Sequence, residues 1–230
     1  MKKILLASTS TLFGQSYLEY LLEELQDFFP GVSTITFIPY AQPGGISHDD
    51  YTQLAATAFA KINIAVKGLH SFKDPMDGIA QSEAIFTGGG NTFLLVQQLH
   101  QLGLMQFLKQ KIEGGTPYFG TSAGSNIAGP SMKTTNDMPI VYPPSFDTLG
   151  VVNFNLNPHY LNPDVNSTHK GETRETRIRE FHVFNNTPVI GLREGNYIMV
   201  QGEQSSLKGE GTARIFEAGK TPYESANIPF

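Results

Sequence analysis

The sequence predicts an α/β protein with three layers: a mostly parallel sheet with helices on both of its faces. Two observations carry this. Short apolar runs alternate with amphipathic helical segments through the first half of the 230-residue chain, the order that builds a parallel sheet. Glycine-rich turns, Gly88-Gly89-Gly90 and Gly120-Thr121-Ser122-Ala123-Gly124, follow two of those runs. In α/β sheets, ligand sites lie beyond the carboxyl ends of strands.

Taken in order, Lys3 to Ala7 reads as a first strand. Tyr17 to Phe29 reads as an amphipathic helix, with Leu18, Leu21, Leu22, Leu25 and Phe29 at helical spacing and Pro30 behind it. Thr34 to Ile38 is a buried strand, and Asp49 or Asp50 caps a helix that runs through Ala60. Ile62 to Val66 and Ala84 to Thr87 are strands, and Thr92 to His100 and Leu104 to Glu113 are helices. The Thr116 to Phe119 strand then leads to Ser122, with Ala123 to Ala128 opening a helix. Beyond it, Phe146 to Asn157 reads as extended and Glu172 to Phe184 as a charged helix. Pro188 to Leu192 and Tyr197 to Gln201 read as strands. No linker, internal repeat or low-complexity tract interrupts the pattern, so residues 1–230 are expected to form a single domain.

Composition narrows the function. Lys+Arg is 16 against Asp+Glu 21, a net charge of −5, and no basic cluster tracks a face, so nucleic acid is not an expected partner. With no cysteine, disulfides, thiolate metal sites and a cysteine nucleophile are excluded. The apolar run after Lys2-Lys3 is too short for a secretory signal, which needs a core of roughly 7–15 residues. No stretch approaches the roughly 20 apolar residues of a membrane span. A cytoplasmic protein without membrane contact is expected.

Gly120-Thr121-Ser122-Ala123-Gly124 reads G-x-S-x-G between a strand and a helix, the context of a nucleophile elbow. A serine needs a base to take its proton, usually a histidine oriented by a carboxylate. Of the six histidines, His159 follows a strand and is stiffened by Pro158, so it is the first candidate, with His169 second. His48 reads as a surface or capping residue. Asp137, Asp147, Glu172, Glu175 and Glu194 are candidate acids. Glu194, at the end of the Pro188–Leu192 strand, is favoured over Asp137, which sits in a polar loop. The Ala123 N–H and an N–H of Gly88 or Gly89 are expected to face the oxyanion. Read from its neighbours alone, Arg174 is a helix-surface ion pair with Glu172, Glu175 or Glu180.

Several segments together raise the specificity. They are Gly88-Gly89-Gly90-Asn91-Thr92-Phe93, the Ser122 elbow, Thr134-Thr135-Asn136-Asp137-Met138-Pro139-Ile140-Val141, Asn157-Pro158-His159, His169-Lys170-Gly171-Glu172-Thr173-Arg174 and Glu194-Gly195-Asn196. Nearly end to end, the chain resembles the peptidase E family of α-aspartyl dipeptidases. The resemblance implies a class I glutamine amidotransferase-like fold with serine in place of cysteine. It implies hydrolysis of small peptides, dipeptides with N-terminal aspartate, with no metal and no cofactor. Ser122 and His159 match the family nucleophile and base. Asp137 and Glu194 both match candidates for the third member. Arg174 matches the arginine expected on the aspartyl carboxylate, with Asn91 and Thr92 beside the substrate. The expected assembly is a monomer or a homodimer. Two other functions stay open on the sequence: a cyanophycinase-like β-aspartyl peptidase of the same fold, and a binding module that has lost turnover.

Overall fold

In the computed structural model, residues 1–163, 166, 168 and 171–230 are described; His169, the second candidate base, lies outside them. Five parallel strands make up one side of a seven-stranded sheet, from its edge inward. They are β1 (Lys3–Ala7), β2 (Thr34–Ile38), β3 (Ala65–Gly68), β4 (Ala84–Thr87) and β5 (Tyr118–Thr121). Two more, β8 (Tyr197–Gln201) and β9 (Gln204–Lys208), extend it antiparallel beyond β1. The order across the sheet is β3-β2-β4-β5-β1-β8-β9.

Side-chain alternation divides the strands between two apolar layers. Ile4 and Leu6 face one layer and Leu5 and Ala7 the other; Ile85 opposes Phe86, and Tyr118 opposes Phe119. One layer is closed by α1 (Leu22–Phe28) and α2 (His48–Ala60), through Leu25, Phe28, Tyr51, Ala55 and Phe59. The other is closed by α3 (Pro75–Ala80), α4 (Thr92–Gln101), α5 (Leu104–Glu113) and α6 (Ala123–Asn126). This is the three-layer, class I glutamine amidotransferase-like architecture expected from the sequence.

A second sheet, of four strands, was not anticipated. β6 (Asn155–Pro158) and β7 (Val189–Leu192) pair in parallel, and β10 (Ala213–Phe216) and β11 (Tyr223–Ser225) follow antiparallel. Leu156, Ile190, Leu192, Ala213 and Ile215 join the same apolar cluster as Ile4 and Leu6. The helix α7 (Arg174–Phe184) adds Ile178, which packs with Val189 and Phe216.

Several boundaries differ from the sequence reading, each for a local reason. The helix expected over Tyr17–Phe29 is broken: Leu18 takes φ 59°, so a 3₁₀ turn, Glu19–Leu21, precedes α1. Ser47, not Asp49 or Asp50, caps α2, accepting from the Asp50 N–H at 3.0 Å. The strand expected at Ile62–Val66 starts later because Asn63, at φ 60°, still belongs to the turn after α2; asparagine tolerates that left-handed conformation. Of the extended run Phe146–Asn157, only its end forms β6. Among the described residues no helix is long and apolar enough to cross a membrane.

Candidate active site

The candidate residues are collected by strand ends. In the large sheet, Ala7 of β1 is in register with Thr121 of β5, so Ser8 and Ser122 leave the sheet side by side. In the small sheet, Pro158 of β6 is in register with Leu192 of β7. His159 is therefore one residue, and Glu194 two, beyond paired strand ends. Ser8 joins the sheets: its buried hydroxyl donates to the Leu192 carbonyl at 2.7 Å and accepts the His159 N–H at 2.8 Å.

The serine sits on a sharp elbow. Ser122 has φ 51° and ψ −110°, and its N–H donates to the Ala7 carbonyl at 3.1 Å. Such a backbone costs about 1–3 kcal/mol for a non-glycine residue and persists only where its surroundings impose it. One imposed constraint is Gly124, where a Cβ would collide with the Thr87 carbonyl of β4. His159 also has positive φ, 53°.

His159 Nε2 lies 2.8 Å from Ser122 Oγ, and His159 Nδ1 lies 2.7 Å from Glu194 Oε1. An ionised carboxylate can only accept, so Nδ1 carries the proton and Nε2 is left to accept from the serine hydroxyl. The order carboxylate–imidazole–hydroxyl is that of a nucleophile activated by an oriented base. Glu194 is half exposed, its side chain at 52%, so its charge is partly solvated.

Asp137 stands elsewhere. Its Oδ2 accepts from the Thr92 N–H at 2.7 Å, the Thr92 hydroxyl at 2.6 Å and the Thr135 hydroxyl at 3.0 Å. It thus sits at the N-terminus of α4, where the helix dipole favours a carboxylate. It still lines the cleft that holds Ser122 and His159, a cavity of about 490 Å³. Asn91 caps the same helix, accepting from the Leu94 N–H at 3.1 Å and donating to the Met138 carbonyl at 2.9 Å. Asn91 and Thr92, expected to touch substrate, therefore have their polar atoms engaged in holding the α4 terminus and the Asp137 loop.

Of the expected oxyanion donors, Gly88 is corrected. Its N–H is committed to the Ile38 carbonyl at 3.2 Å. Gly89 lies against the serine, a Cβ there meeting Ser122 Cβ at 3.1 Å. Among the described residues the Gly89 N–H has no partner, and the Ala123 N–H opens α6.

Arg174 is the first residue of α7, and the ion pairs imagined for it go to other residues. Glu172 pairs with Arg177, and Glu175 with Arg179 and Arg214. Arg174 instead lines a separate cavity of about 40 Å³ with Thr135, Asn136 and Asn157. One guanidinium nitrogen, Nη1, is buried with no partner among the described residues. Burial lowers its pKa, and the Glu194 charge opposes that shift. Among the described residues no cluster of three or more His, Asp or Glu side chains could hold a metal ion.

Ser8, Gln42 and Tyr51 were missed. Ser8 reads in sequence as the mere end of an apolar strand. Its only signal is its place, directly after a strand whose end faces the site.

A parallel α/β sheet with a strained serine elbow at its carboxyl edge, and a histidine–carboxylate pair bonded to that serine, defines a serine hydrolase. The sequence comparison makes this specific: residues 4–208 match the model of Peptidase family S51, and the chain belongs to that family. It is 49% identical over 223 residues to "Peptidase E" of Streptomyces coelicolor, covering 97% of this chain and 90% of that protein. It is 44% identical over 220 residues to "Probable alpha-aspartyl dipeptidase" of Drosophila melanogaster, covering 94% and 90%. Among solved structures, a peptidase from an acI-B1 actinobacterium superposes with TM-score 0.71 at 16% identity, covering 99% of this chain and 95% of that one. A protein from Listeria monocytogenes does so with TM-score 0.69 at 22% identity, covering 91% and 99%.

Proposed function

We propose that the chain is a serine dipeptidase that cleaves Asp-Xaa through an acyl-enzyme on Ser122. The observation that carries this is the Ser122–His159–Glu194 relay, with contacts of 2.8 and 2.7 Å. Ser122 Oγ attacks the scissile carbonyl as His159 Nε2 takes its proton. The imidazolium, stabilised by Glu194, returns that proton to the leaving amine; water then repeats the sequence and frees aspartate. The Ala123 N–H and an N–H of the Gly89 loop receive the oxyanion.

Two charges suit the aspartyl residue. Asp137, with Oδ2 saturated by three donors and Oδ1 without a partner among the described residues, offers a carboxylate oxygen to the substrate's α-ammonium. Arg174 offers a planar fork to the aspartyl carboxylate, and its unpartnered Nη1 supports that role. Its cavity is distinct from the main cleft and is also lined by Asn136 and Asn157, bonded to each other at 2.8 Å. The enzyme acts on free small peptides in the cytoplasm as a monomer or homodimer. Comparing kcat/KM for α-Asp-Leu, β-Asp-Leu, Glu-Leu, Asn-Leu and Ala-Leu tests the reading. α-Asp-Leu should lead. A preference for β-Asp-Leu would assign a cyanophycinase-like specificity instead, and turnover of none would leave a binding module.

A further inference from the structure

The Gly88–Asn91 loop bears on the oxyanion, yet it has little side chain with which to fix itself. Its ends are tied by backbone: the Gly88 N–H to the Ile38 carbonyl at 3.2 Å, and the Asn91 N–H to the Ala41 carbonyl at 2.7 Å. Its middle is held from outside. The Gly89 carbonyl accepts from Gln42 Nε2 at 3.0 Å and from the Tyr51 hydroxyl at 3.2 Å. In a trans peptide the C=O and the following N–H point in opposite directions. Fixing the Gly89 oxygen therefore fixes the Gly90 N–H, which has no partner among the described residues. Gly90 itself, at φ 140°, is a conformation that glycine supplies freely, and a Cβ there would collide with the Ala41 carbonyl. Gln42, Tyr51, Gly89, Gly90, Ser122 and His159 line one cleft.

Tyr51 is suited to a fixed post. It is buried on α2, edge-on to Phe37 at 4.9 Å between centroids and to Tyr17 at 6.1 Å. Burial raises its pKa, so the hydroxyl stays a donor at working pH.

We infer that Tyr51 and Gln42 are positioning residues for the oxyanion site: by donating to the Gly89 carbonyl, they hold the Gly89–Gly90 peptide so that N–H groups, and not a carbonyl oxygen, face the reacting carbonyl. A rotated peptide would present a negative dipole where negative charge develops. Hydrogen bonds set before reaction are what make such a site effective. The inference rests on Ser122 being the nucleophile.

The test uses Y51F, Q42L and the double variant, with S122A in parallel. Y51F removes one hydroxyl and keeps the ring packing. Three quantities are measured: kcat and KM on Asp-Leu, inhibition by an aspartyl aldehyde, and inhibition by aspartate. The aldehyde adds to the serine, Oγ bonding to carbon as its proton passes to His159 and the carbonyl electron pair becomes an alkoxide in the oxyanion site. Each single variant should lower kcat about 10-fold, since losing a direct oxyanion donor costs 10²–10³-fold and these act one bond removed. KM should stay within about twofold, as expected when an interaction made only in the transition state is lost. The aldehyde's Ki should rise in step with the fall in kcat, while that of aspartate holds. A double variant with near-normal kcat beside an inactive S122A overturns the positioning role alone. So does equal weakening of aldehyde and aspartate, which would make both residues packing. An active S122A overturns the nucleophile, and the positioning role with it.

Discussion

Ser8 gives the sharpest perturbation, because one hydroxyl ties the two sheets together behind the histidine. In Ser8→Ala the Leu192 carbonyl and the His159 N–H lose partners at 2.7 and 2.8 Å. An orphaned buried polar group costs about 1–3 kcal/mol. The Leu192 carbonyl still accepts the Tyr160 N–H at 3.0 Å, so the cost falls on the part-buried His159 N–H and amounts to roughly 1–3 kcal/mol. In a chain of this size that lowers Tm by about 2–10 °C. The second consequence is chemical. The 2.8 Å contact between His159 and Ser122 spans the two sheets, and a misplacement of about 1 Å can cost 10²-fold in rate. Turnover of Asp-Leu, measured well below the lowered Tm, should therefore fall by about 10–100-fold with KM little changed. Calorimetry and steady-state kinetics on the same preparation check both. An unchanged Tm would refute the hydrogen-bond argument. A lowered Tm with unchanged kcat would show that the staple stabilises the fold without setting the His159 geometry.

Glu194→Gln keeps an acceptor for Nδ1 but removes the charge that stabilises the imidazolium. Because Glu194 is half exposed, kcat should fall about 10²–10³-fold, less than the 10⁴-fold seen for a buried counterpart. A larger kcat loss in Asp137→Asn than in Glu194→Gln would reverse their roles; the expected Asp137→Asn defect lies mainly in KM. Arg174→Ala should lower kcat/KM for Asp-Leu by about 10²-fold or more, the loss of a charge-assisted pair, and leave Ala-Leu nearly unaffected. Arg174→Lys should rescue poorly, since the ammonium lacks the fork. Equal loss on both substrates would make Arg174 structural.

Most of the central sheet was legible because its strands, the edge strand β9 apart, are short apolar runs ended by glycine or a polar turn. Ala84 to Thr87, for example, is a strand with the same bounds as expected from its apolar run. The serine elbow was legible too, since G-x-S-x-G after a strand carries its own geometry. Some edge strands were not. β9, Gln204–Lys208, ends the large sheet and alternates exposed and half-buried positions, and β11, at the edge of the small sheet, is three residues long; neither carries an apolar run. Whether Asp137 or Glu194 meets His159 depends on the register of β6 with β7, a long-range pairing with no local signature. The Gly88 N–H was misjudged for a similar reason. Its partner is the carbonyl of Ile38 on β2, fifty residues away in sequence, and only tertiary structure brings them together.

The proposed chemistry depends on Ser122 forming the acyl-enzyme with N-terminal aspartate. Single-turnover kinetics on Asp-Leu with wild type and Ser122→Ala, both checked for folding by circular dichroism, tests it most directly. Ser122→Ala should stay folded while its turnover falls on the order of 10⁴-fold or more, with no covalent aspartyl adduct by mass spectrometry of the quenched reaction. A folded Ser122→Ala protein that cleaves Asp-Leu within about tenfold of the wild-type rate would contradict it.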